Sequence, residues 1–191
     1  KLAEMGHRVS VITRRSRGLA PIVDGVRVIQ VPWTKIPMSF TRSYGRSALR
    51  ALVKAHEENK VDVVHLHCPM VSWDDSQFDF CERDVAPVVS SMHGTWMGER
   101  DGLLLAARHG EPAVWSNPND IAIRFLAGRY SAFEKSAIRK SAVVVPNSRA
   151  TMTDLETRYH PPSDWDCQVI HWGVDTNMFV PQHRDSEDVA H

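Results

Sequence analysis

No Gly-x-Gly-x-x-Gly fingerprint, Gly-x-x-x-x-Gly-Lys-Ser/Thr loop or Gly-x-Ser-x-Gly elbow occurs in these 191 residues. Their absence removes the dinucleotide turn, the Walker-type phosphate cradle and the hydrolase nucleophile. Cysteine is scarce. Cys68, Cys81 and Cys167 are widely spaced and odd in number, which argues against a disulfide framework and fits a reducing cytoplasm. His65, His67 and Cys68 lie close together, but no Cys-x₂-Cys or His-x₃-His spacing completes the four ligands of a structural zinc site. No metal is expected. No apolar run approaches the ~20 residues of a membrane span. The formal net charge is +0 with 24% charged residues, so nothing points to nucleic acid. No internal repeat or low-complexity tract is present.

Short β-branched runs alternate with helix-period segments. Strands are expected at Val9–Thr13, Gly25–Pro32, Val61–Leu66, Pro87–Met92, Ser141–Pro146 and Cys167–Ile170. Leu49, Leu52, Val53 and His56 mark a helix face. Alternation of this kind predicts an α/β domain with a mostly parallel sheet. The short, mostly apolar run at 61–66 suits a strand covered on both faces. Residues 1–7 read as a last helical turn with Gly6 just beyond it, where glycine is favoured because it takes φ > 0 freely. An upstream strand–helix unit is therefore expected. Its absence would leave an open sheet edge and favour self-association. Glycines and prolines crowd residues 94–117 around Leu103–Ala107, so a short helix inside a long loop is expected there. Residues Gln182 to His191 read as a frayed tail.

Four positions could carry chemistry. His93 follows an apolar strand and precedes Gly94, placing an imidazole on the edge of the sheet where open α/β folds bind ligands. Its plainer reading is a strand-end histidine bonded to a backbone carbonyl. His65 and His67 point the same way on their strand. Glu134 falls within the arc of Leu126, Tyr130, Phe133, Ala137 and Ile138 on a helix over 121–139. A buried carboxylate there must be bonded, most simply as a structural acid holding a loop or an arginine. Ser148 opens a helix marked by Met152, Leu155 and Tyr159. It is a good N-cap, and the N–H groups beside it, with Arg149, could also hold a phosphate or a sugar hydroxyl. The cluster Arg14, Arg15, Arg17 reads as a solvated strand end. Its sharper reading is attraction to an anionic substrate or a lipid headgroup.

The run Val169-Ile170-His171-Trp172-Gly173-Val174-Asp175, followed by Phe179 and Pro181, resembles the sequence joining the two halves of retaining GT-B glycosyltransferases of the "group 1" family. The opening Leu2-Ala3-x-x-Gly6-His7-x-Val9, the strand Asp62-Val63-Val64-His65-x-His67 and Ser148 after a Val-rich strand resemble the same family in order and spacing. Ser141 departs from it, standing where the family usually has Asp.

The resemblance implies a Rossmann-like acceptor-side domain over 1–171, with 172–191 as linker and start of a nucleotide-sugar domain. The whole enzyme would transfer a sugar from a nucleotide-diphosphate donor to an acceptor hydroxyl with retention, using no cofactor. The acceptor would be a sugar or a lipid-linked sugar. His93 would serve catalysis, contacting the donor sugar. His67, Gly94, Thr95, Ser148 and Arg149 would bind substrate, with His65 in the core. Glu134 would shape the cleft wall. A cytoplasmic enzyme, with peripheral contact to the inner membrane face, follows. A GT-B nucleotide-sugar epimerase and a non-catalytic sugar- or nucleotide-binding domain share the sheet and cleft.

Overall fold

The computed structural model describes residues 1–18, 20–176, 178 and 179. The expected tail at 182–191, and the Pro181 of the linker motif, lie outside the described residues. The elements run β1 (Ser10–Arg14), β2 (Ile22–Val23), β3 (Val26–Val31), α1 (Ser39–Glu58), β4 (Val64–Cys68), α2 (Asp75–Asp84), β5 (Val88–Met92), α3 (Trp96–Arg108), α4 (Ala113–Ser116), α5 (Pro118–Lys140), β6 (Val143–Pro146) and α6 (Arg149–Tyr159). The fold is α/β and Rossmann-like. Among the described residues the strands form two three-stranded sheets, ordered β1-β3-β2 and β4-β5-β6. β1 pairs with β3, and β5 with both β4 and β6, all in parallel.

Residues 1–7 close as the sequence suggests. His7 N donates to Leu2 O at 3.1 Å and Gly6 N to Ala3 O at 3.0 Å, with Gly6 at φ 90°. This is the Schellman pattern that ends a helical turn. β2 was not expected. It turns back onto β3 through Asp24 and Gly25, both at positive φ, the two-residue hairpin that an Asp-Gly pair favours.

Strand β4 begins at Val64 rather than Val61, because its ladder starts where Val64 N donates to Pro87 O at 3.0 Å. Val64, Leu66 and Cys68 are buried while His65 and His67 are exposed. The buried set joins Phe78 and Cys81 of α2, Ala137 and Ile138 of α5, and Leu155 and Tyr159 of α6 in the main core. The helices thus cover one face of this sheet, and β4 is not covered on both faces. His65, expected in the core, stands instead on the open face, because a period of two sends residues 64, 66 and 68 inward.

The segment 94–117 is not a long loop. Thr95 caps α3, its Oγ accepting from Gly98 N at 2.9 Å. Gly98 and Gly102 lie inside the helix, although each costs about 1 kcal/mol against alanine. At Gly98 a Cβ would come 2.9 Å from Thr95 Oγ1 and 3.2 Å from Asp154 Oδ2, so close approach of α6 explains that glycine. The expected sixth strand runs beside β6, with Gln168 N donating to Val144 O at 2.9 Å and Ile170 N to Pro146 O at 3.1 Å, yet it forms a single parallel bridge, Val144 with Cys167.

Arg42 of α1 fixes the turn after β4. It donates to Ser72 O at 2.9 Å and bonds Gln77 and Asp74, the two residues of the α2 capping box. Trp73 Nε1 donates to Gly45 O at 2.8 Å. Gly45 is required there, since a Cβ would meet Ser72 O at 3.0 Å. Among the described residues, no helix is long and apolar enough to cross a membrane.

Candidate active site

Parallel strands bring their C-terminal ends together, and the candidate residues collect there. His93 N donates to Cys68 O at 3.2 Å, tying the end of β5 to the end of β4. On the open face His65, His67 and His93 stand in a row. The His65 and His67 rings stack at 4.7 Å, and His67 and His93 at 5.2 Å with 9° between planes. His67 Nδ1 lies 3.0 Å from His93 Nε2, and His65 Nε2 lies 2.6 Å from Ser91 Oγ. Trp172 approaches His93 at 5.1 Å between ring centres.

Burial and the neighbouring His67 hold the His93 pKa below its ordinary value. Burial, then His67 and His93, do the same for His65. At neutral pH His93 is therefore uncharged. With His93 uncharged, one ring nitrogen donates and the other accepts across the Nδ1···Nε2 contact. If His67 donates, His93 carries its own proton on Nδ1; if His93 donates, its Nδ1 is an acceptor. That Nδ1 is buried and has no hydrogen-bond partner within the protein.

Glu134 lies behind the His93 loop, 2% exposed. Oε1 accepts from Trp96 N at 2.9 Å, and Oε2 accepts from Tyr159 OH. It therefore holds a loop, not an arginine. Burial pushes its pKa up to about 7 against these two hydrogen bonds, and burial followed by Glu134 raises that of Tyr159. Thr95 is buried too. Its hydroxyl donates to Asp154 Oδ2 at 2.6 Å as well as capping α3. Arg158 bridges Asp154 and Asp101, the latter at 2.7 Å. Glu134, Thr95 and Asp154 thus lock α3, α5 and α6 around the loop.

Two cavities open on this loop. One, of about 500 Å³, is lined by His93, Gly94, Thr95, Arg14, Trp33 and Glu99 among others. The second, of about 530 Å³, lies between α3 and α6 and shares Gly94, Thr95 and Glu99. Gly94 has space around its Cα, since a Cβ would touch nothing within 4 Å. His67 joins His93 but lines neither cavity. Ser148 caps α6, accepting from Thr151 N at 3.1 Å. Ser148 and Arg149 also line neither cavity, while Ala150, Thr151 and Asp154 of the same helix line the second. Trp96 is a buried anchor at the start of α3, Trp115 lies on α4 and is exposed, and Trp172 stands beside His93. Among the described residues no group of three or more His, Cys, Asp or Glu could hold a metal ion.

Arg14, Trp33, Lys35 and Phe40, at the ends of β1 and β3 and the start of α1, complete the first cavity. The sequence signal for them is thin. The arginine cluster is visible, but its pairing with Trp33 appears only once the β1–β3 register is known.

A strand-end histidine at a cleft on the C-terminal edge of a parallel sheet matches many folds. The sequence profile of Glycosyltransferase Family 4 matches residues 1–178. The chain belongs to Glycosyltransferase Family 4. It is the N-terminal domain of a group 1, GT-B glycosyltransferase. The same fold is seen in sucrose-phosphate synthase from Thermosynechococcus elongatus, which is similar at 14% identity with a TM-score of 0.58, covering 91% of this chain and 81% of that one. No curated protein matches the chain. In this glycosyltransferase domain, the His93 loop sits at the junction of both cavities.

Proposed function

We propose that this domain is the acceptor-side half of a retaining glycosyltransferase. The enzyme would transfer a hexosyl group from a nucleotide-diphosphate sugar, held mainly by a second domain, to an acceptor hydroxyl. Residues 1–171 form the acceptor side, and 172–191 lead to the donor side. The observation that carries this reading is the orientation of His93. One ring nitrogen is held by His67, and the other is buried without a protein partner beside the cleft.

With His67 as donor, His93 presents Nδ1–H to an oxygen of the donor sugar. A fixed donor of this kind stabilises charge that grows as the glycosidic bond breaks. With its ring proton on Nδ1 and Nε2 held by His67, His93 has no free ring nitrogen to take the acceptor's proton; in front-face transfer the leaving phosphate does so. Thr95 and Glu134 hold the loop, Gly94 lets substrate approach the backbone, and the start of α6 at Ser148 and Arg149 contributes N–H groups and a positive charge. The free cysteines support a cytoplasmic setting. The exposed Arg15 and Arg17 support contact with an anionic membrane face.

The test is to incubate the intact enzyme with nucleotide sugars and an acceptor panel, following the products by NMR. Transfer with the anomeric configuration of the donor supports the proposal. An epimerised nucleotide sugar, or no reaction with any donor, contradicts it.

A further inference from the structure

Among the described residues three buried side-chain nitrogens have no hydrogen-bond partner, and two of them, His93 Nδ1 and Trp96 Nε1, belong to residues lining the first cavity. The role of His93 is given above; that of Trp96 is not. Its backbone N–H is tied to Glu134, and the residue is only 5% exposed. An indole N–H is a donor and nothing else. Leaving a buried donor unbonded is costly, and a ligand oxygen in the cavity would relieve that cost.

The surroundings decide which oxygen fits. Trp96 packs with Met38, Ala127 and Tyr130 and with the partly buried Phe40 and Ile123. Met38, Phe40 and Ile123 line the cavity with it, so the wall around the indole is largely carbon. Met38 is held there by a strained backbone. It has φ 60° and ψ −45°, at the centre of a turn that Ser39 N closes onto Pro37 O at 2.7 Å. This is a γ-turn of the rare, strained kind, and it leaves Met38 fully buried. Such strain persists where the surrounding structure over-determines the backbone, and it gathers at ligand sites. A ligand hydroxyl could accept from the indole, but its own hydrogen would then face carbon and stay unbonded. A carbonyl oxygen accepts without a hydrogen to place. A methyl group beside that carbonyl suits the wall of Met38 and Ile123. An acetamido group carries both.

We propose that Trp96 determines acceptor specificity: its indole N–H binds the carbonyl of an N-acetylated sugar, whose methyl packs on Met38 and Ile123. This rests on the acceptor-side reading and narrows the acceptor to acetamido sugars.

The test follows the indole N–H resonances of the isotope-labelled chain by NMR on titration with N-acetylglucosamine and with glucose. The Trp96 signal, assigned through the backbone, should move downfield with N-acetylglucosamine as the hydrogen bond forms. N-acetylglucosamine should bind about tenfold or more tighter than glucose, which one hydrogen bond and one buried methyl together supply. Trp96→Phe keeps a flat ring and loses the donor, and should bring the two sugars within about threefold. Trp115→Phe, at an exposed residue lining neither cavity, should keep the full advantage. Denaturation midpoints establish that the variants fold; if Trp96→Phe does not, the indole shift of the parent decides. Equal binding of the two sugars, no binding of either, an unmoved Trp96 signal or an undiminished advantage in folded Trp96→Phe overturns the proposal. If it fails while the intact enzyme still transfers a sugar with retention to another acceptor, the acceptor-side reading stands. If no acceptor of the panel is glycosylated, both fall.

Discussion

His67 and His93 form a single proton-sharing unit at the mouth of the cleft, Nδ1 to Nε2 at 3.0 Å with rings 9° from parallel. Each residue lies at the C-terminal end of a different strand, so the contact depends on the register that sets His67 opposite Ser91. The pair fixes which tautomer His93 presents to a substrate.

Replacing His67 with glutamine should move the acid limb of the pH–rate profile upward. Burial is the larger cause of the depressed His93 pKa, and the positive charge on His67 adds to it. Removing that charge lets His93 protonate at higher pH. NMR titration of the His93 ring in both forms checks the sign. A His93 pKa that stays put or falls in the variant contradicts the coupling.

Glu134→Ala should destabilise the domain by roughly 1–3 kcal/mol, because it strands the Trp96 N–H and the Tyr159 hydroxyl. Glu134→Gln, which keeps an acceptor for Trp96, should cost less. Urea denaturation measures both. An alanine variant as stable as the parent refutes the role.

The same residue makes a pH prediction. Its folded pKa, about 7, lies above the 4.5 of the unfolded chain. Between those values the folded state holds more protons than the unfolded state, so this contribution is fully present below 4.5. It is lost as pH rises through about 7, at a rate near ~1.4 kcal/mol per unit. The stability of the parent relative to Glu134→Gln should therefore fall between pH 5 and pH 7. A constant difference across that window contradicts a buried, neutral-favouring Glu134.

Domain closure assembles sites of the two-domain kind. The chain by itself should bind nucleotide sugars with Kd above about 1 mM and transfer nothing. Micromolar binding, or transfer by the isolated chain, contradicts the division of labour proposed here.

Strand–helix alternation, the positions of His93, Glu134 and Ser148, and the family signature were legible because each depends on local pattern. Ser148 before an apolar-periodic helix needs no tertiary information to be a cap. The helix α3 was obscured because Gly98 and Gly102 lower local propensity, while its support comes from Thr95, Glu134 and Asp154, the last two on α5 and α6. Asp24-Gly25 and the Asp74…Gln77 capping box are turn and cap signals that the sequence does display, and β2 and α2 form where they stand. His65 is exposed because of which sheet face the helices cover, a fact of topology. Arg14 and Trp33 are neighbours because Arg14 pairs with Val31 in the β1–β3 register, two residues before Trp33; nothing in the local sequence joins them.

The most direct test of the central claim is the turnover of His93→Ala in the intact enzyme, measured beside its denaturation midpoint. A positioned electrostatic group at the reaction centre should cost on the order of 10²-fold or more in turnover, with the midpoint little changed. A folded variant that keeps turnover within about tenfold of the parent would contradict the placement of His93 at the reaction centre.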